Sequence, residues 1–61
     1  MVKYIDICHA ILAYGNTQQE LGKAVGECDY DNLKEIMKRS MEKYIEVMSL
    51  VEEYKEQSNG N

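Results

Sequence analysis

YDNLKEIMKRSMEKYIEVMSLVEEYKE, Tyr30 to Glu56, is the stretch that decides the fold. At 100° per residue, Tyr30, Leu33, Ile36, Met37, Ser40, Met41, Tyr44, Val47, Met48, Val51 and Tyr54 fall on one broad stripe. Glu35, Lys38, Arg39, Glu42, Glu46 and Glu53 fall on the other side. The chain has no Pro, and no Gly lies between Glu27 and Asn59, so nothing interrupts a helix here. Asp29 or Asp31 suits the N-cap, where a carboxylate meets free N–H groups and the positive end of the helix dipole. The polar run Gln57 to Asn61 is expected to fray. Such a helix is roughly 40 Å long at 1.5 Å per residue. Its stripe needs cover from the rest of the chain or from another copy.

Residues 3 to 14 supply the first candidate for that cover. Tyr4, Ile5, Ile7, Cys8, Ile11, Leu12 and Tyr14 share one wide face at helical spacing. The opposite face carries only Asp6, His9, Ala10 and Ala13, too little charge for a fully solvated side. This arm therefore needs covering on two sides, which one short chain cannot provide. Self-association follows as the expectation.

A break is expected in the first arm near Gly15–Thr17. Gly15 stands where a helix C-terminus favours glycine, and Thr17 with Glu20 matches a capping box. The apolar direction also turns by roughly 90° between Ile11 and Leu21. Against a break, positions 4, 7, 11, 14, 18, 21, 25 and 28 form an unbroken heptad series with Gln18 as its weak member. Gly26 is expected to end the helix before the turn Glu27-Cys28-Asp29. Lys3-Tyr4-Ile5-Asp6-Ile7 also resembles Lys43-Tyr44-Ile45-Glu46-Val47, with Tyr14 and Tyr54 ten residues beyond each tyrosine. Two amphipathic helices drawing on one palette account for this; equivalent packing roles are the alternative.

The length of 61 residues bounds the domain count at one: residues 1–57, with a polar tail at 58–61. A chain of this size buries only about 60% of its unfolded surface and leans on disulfides, metals or partners. Two cysteines, Cys8 and Cys28, make no disulfide framework, and no signal-peptide pattern is visible. A reducing, cytoplasmic setting is expected. No apolar run approaches the ~20 residues of a membrane span. Eleven acidic against seven basic residues give a net charge of −4, which speaks against nonspecific nucleic-acid binding.

Groupings that carry chemistry are sparse. Cys8 and His9 diverge by about 100° on a helix, and no CxxC or HxxxH spacing exists. A zinc site would need ligands from several copies, and Cys8 reads as a small apolar residue. A Cys–His nucleophile needs the two groups in hydrogen-bond reach and a pocket for the oxyanion. No Gly-rich phosphate loop is present. Neither catalysis nor a metal or cofactor is expected.

Asn16-Thr17-Gln18-Gln19-Glu20-Leu21-Gly22-Lys23-Ala24-Val25-Gly26 resembles the first half of a helix-turn-helix of the phage-repressor type. The resemblance covers about eleven residues and implies a scaffold helix followed by a recognition helix. That second segment opens with Asp29-Tyr30-Asp31-Asn32, acidic where phosphate contact wants cations. A DNA-binding regulator is therefore the third expectation for function.

Lys34, Lys38, Arg39 and Lys43 form the one basic cluster. It reads as a solvated face or as an anion-binding edge that could hold a small phosphorylated ligand between subunits, with Tyr30 or Tyr44 stacking. Met37, Met41 and Met48 read as core packing, or as a groove that accepts a partner helix.

The expected fold is all-α: a helical hairpin with its first arm broken or kinked near Gly15–Thr17, assembling as a homo-oligomeric bundle. Its oligomer core is expected at Tyr4, Ile7, Ile11, Leu12, Leu33, Met37, Met41, Met48 and Val51. The expected function is a small binding protein, of the kind bacteria and their phages use to regulate or inhibit a larger protein target. Anionic ligand sequestration is the alternative.

Overall fold

The computed structural model describes residues 1–59 and shows two helices, α1 (Tyr4–Glu27) and α2 (Tyr30–Asn59), packed as a hairpin. Contacts run in one antiparallel register along the whole length. Tyr4 meets Tyr54, Tyr14 meets Tyr44, Gln18 meets Ser40 and Glu20 meets Arg39. The hairpin is a rod 50 Å long.

The helix ends follow local chemistry. The Asp6 carboxylate accepts the Lys3 N–H at 3.0 Å, opening α1. Asp29 opens α2: its Oδ1 accepts the Asn32 N–H at 3.2 Å. Between them, Cys28 sits in the left-handed region with φ 56°. Its N–H donates to the Val25 carbonyl and the Asp29 N–H to the Ala24 carbonyl, which satisfies two of the last orphan acceptors. The residue that stops α1 is thus Cys28, and Gly26 lies inside the last turn.

The break expected near Gly15–Thr17 is not formed; α1 is uninterrupted there. Thr17 does not cap. It is buried, and its hydroxyl donates to the Tyr14 carbonyl one turn back at 2.6 Å. Tyr14, Thr17 and Leu21 continue the face that begins at Ile7 and Ala10. Packing that face along α2 outweighs the roughly 1 kcal/mol that a helical glycine costs.

α2 runs two residues into the expected tail, to Asn59; residues 60–61 lie outside the described residues. Gln57 explains the extension. Its side-chain amide accepts the Val2 N–H at 2.6 Å and donates to the Val2 carbonyl at 2.9 Å, tying the two chain ends together.

The seam uses 3–4 spacing on α1, at Ile7, Ala10, Tyr14, Thr17, Leu21 and Ala24, and on α2 with one seven-residue step from Ser40 to Val47, at Leu33, Ile36, Ser40, Val47, Leu50, Tyr54 and Gln57. Small residues at Ala10, Thr17, Ala24 and Ser40 let the backbones approach. The resulting core is thin. Its buried apolar members are Ile7, Ala10, Ala24 and Ile36, joined by Thr17 and Ser40, and no described side chain is fully enclosed.

Candidate functional site

The hairpin has two unlike faces. On one, Glu20, Lys23, Glu27, Asn32 and Arg39 line a groove near the turn, while Asp6, His9, Lys43 and Glu46 line another nearer the chain ends. Charges of both signs meet there. Arg39 pairs with Glu20 at 2.9 Å across the helices, and Lys43 with Glu46 at 3.7 Å along α2. Both pairs are half exposed and stabilise by well under about 1 kcal/mol each.

The other face is apolar. α1 contributes Tyr4, Ile11 and Val25, and α2 contributes Tyr30, Met37, Met41, Tyr44, Met48 and Val51, all exposed. Half-buried Cys8 lies among them. These positions sit on the same side of the seam in both helices, because in an antiparallel pair equivalent flanks adjoin. Val25 and Tyr30 accordingly line one shallow cleft with Cys28 and Leu33 at the turn. Ile5, Leu12 and Ile45 stand exposed beside this face. Met41 and Leu12 each keep 66% of their surface open, more than scattered surface residues account for when so many adjoin. Three tyrosines of ~150–250 Å² each, half or more exposed, with the six exposed aliphatic and methionine side chains beside them, make the patch on the order of 1,000 Å². The largest patch on an ordinary monomer is about 300–600 Å².

The residues expected in an oligomer core therefore divide. Ile7 and Leu33 lie in the seam within the chain. Tyr4, Ile11, Leu12, Met37, Met41, Met48 and Val51 lie outside it and exposed. The three methionines do not pack the hairpin's own core: the broad stripe of α2 is wider than one neighbouring helix covers, and the seam takes its other half. Leu50, at the flank of that stripe, is drawn into the seam.

The basic cluster is not gathered. Lys34 and Lys43 are nine residues apart, about 180° around the helix. Lys34 and Lys38 share an edge of the apolar face near Tyr30, while Arg39 and Lys43 turn to the polar side and meet carboxylates. Tyr44 leans on Tyr14 across the seam. Cys8 and His9 also part, Cys8 to the apolar face and His9 to the polar groove. Among the described residues no three of His, Cys, Asp and Glu converge as metal ligands would.

The segment similar to a helix-turn-helix scaffold, Asn16 to Gly26, is the second half of α1, and α2 lies antiparallel to it. A recognition helix instead crosses its scaffold at about 90–120°. No described helix is long and apolar enough to cross a membrane. Against protein families, curated proteins and solved structures, the chain has no match.

Proposed function

We propose that this chain works through protein–protein contact: a small helical module that associates with itself through the apolar face and regulates or inhibits a larger protein. The observation that carries this reading is the imbalance between inside and outside. Two isoleucines and two alanines are the buried apolar residues, while a continuous patch of tyrosine, methionine and aliphatic side chains stays open. Leaving that much apolar surface in water costs about 25 cal/mol per Å². A thin core with so wide an open face is the signature of an element completed by a partner. The flanking Ile5, Leu12 and Ile45 extend the contact surface toward a second partner.

The test is the native mass of the chain expressed in cells and held at micromolar concentration. Several copies per particle are expected. A stable monomer with unchanged helicity removes the self-association part of the reading.

Sequestration of a small anion is the second reading. It rests on Lys34 and Lys38 standing together beside Tyr30, outside the two ion pairs of the described residues. The same mass measurement reports a retained ligand. Neutralising Lys34, Lys38, Arg39 and Lys43 together should leave protein contact intact and abolish anion binding.

A further inference from the structure

The apolar face is uneven, and its relief selects one way for two copies to meet. Along α1, Gly15, Gln18 and Gly22 follow one another on this face. A methyl group added at Gly15 or Gly22 would meet nothing within 4 Å, so nothing inside the chain requires either residue to be small. Gln18 does not stand up between them: its amide reaches across the seam and donates to the Ser40 hydroxyl at 2.7 Å. The result is a trough on α1. Beside it on α2 stand Met37, Met41 and Tyr44, a ridge. The register fixes their heights. Tyr14 faces Tyr44 and Gln18 faces Ser40, so trough and ridge lie side by side at the same level of the rod.

Only one twofold rotation fits such a face to itself. With the axis parallel to the helices, α1 of each copy lies on α2 of the other, and each ridge enters the partner's trough. With the axis across the helices, like meets like: ridge abuts ridge, and a void remains above the glycines. Interiors are packed without such voids. Available area also suffices, since a stable interface takes about 800 Å² from each partner and this face offers on the order of 1,000 Å². The charged faces stay outward in this arrangement.

We infer that the partner of the apolar face is a second copy of this chain, running in the same direction, in a four-helix bundle with both turns at one end. The inference rests on the self-association proposed above and adds its direction.

Nitroxide labels on the polar face near the turn, at Glu27→Cys in a Cys8→Ser, Cys28→Ser background, test it, with the dimer mass measured on the same sample. Both turns at one end place the labels within ~30 Å, given helix spacings of about 8–10 Å. Copies running oppositely place them near the full 50 Å length of the rod. A short distance in a dimer supports the inference. A long distance overturns the direction and leaves self-association standing, whereas a monomer overturns both. As a second arm, Gly22→Leu fills the trough. A dimer Kd raised at least tenfold with helix content retained is the expected result, and an unchanged Kd removes the trough from the interface.

Discussion

The rings of Tyr14 and Tyr44 meet across the seam with centroids 5.8 Å apart and planes tilted by 54°. Tyr4 and Tyr54 meet in the same manner at 6.1 Å and 60°. Adding forty to Tyr4 and Tyr14 gives Tyr44 and Tyr54, so the two contacts exchange under a local twofold that swaps the helices. Ile7 and Val47 then coincide in the seam, and Ile5 and Ile45 coincide outside it. The likeness of residues 3–7 to 43–47 thus corresponds to equivalent packing. Aromatic pairs with centroids at this separation contribute about 0.5–1.5 kcal/mol beyond their burial. Double-mutant cycles with Ala, read by denaturant unfolding, should return coupling in that range for both pairs. A cycle near zero for one pair alone would break the equivalence.

Cys28 is a non-glycine residue in the left-handed region, held there by the helix stop. An L-residue loses roughly 1–2 kcal/mol in this conformation. Cys28→Gly should recover about 1 kcal/mol, less than the full amount because glycine also raises the entropy of the unfolded chain. In a chain of this size that corresponds to a Tm increase of about 4–8 °C. A lower Tm would mean that the thiol itself holds the turn.

The hairpin was legible in the sequence because Tyr30 to Glu56 has one uninterrupted apolar period and Asp29 precedes it. The division of that stripe was not. Periodicity marks Leu33, Met37 and Met41 alike, and the choice of which half meets α1 is made by small residues. Ala10, Thr17 and Ala24 recur every seventh position and carry little hydrophobic signal, yet they are where α2 can approach. Thr17 misled for the same reason: beside Gly15 it has the spacing of a cap, while burial turns its hydroxyl back onto its own helix. The basic residues from Lys34 to Lys43 cluster along the chain but spread around the helix, which their spacing already implied.

Gln57 holds the residues before α1 by two hydrogen bonds to one residue, Val2. Because the partner is backbone, the loss is local. Gln57→Ala should speed amide exchange over Val2 to Ile5 by about tenfold, the equivalent of ~1–2 kcal/mol for the lost bonds. Amides around Ala24 and Ile36 should keep their protection. Uniform acceleration along the chain would show that the clamp is part of global folding.

Gly22 and Gly26 separate chain stability from assembly. Both lie in α1, and an added methyl meets open space at each. Within one chain, each Gly→Ala change should stabilise the helix by about 1 kcal/mol. Gly26 sits off the apolar face and Gly22 on it. Gly26→Ala should therefore raise stability and leave the association constant as it was. Gly22→Ala should gain the same helix propensity but weaken association, because its methyl occupies space that the partner's ridge enters. Thermal unfolding at several protein concentrations distinguishes the two: Gly26→Ala shifts the whole series upward, and Gly22→Ala flattens it toward the dilute end, where less of the chain is assembled before it unfolds. Identical behaviour of the two variants would place Gly22 outside any interface.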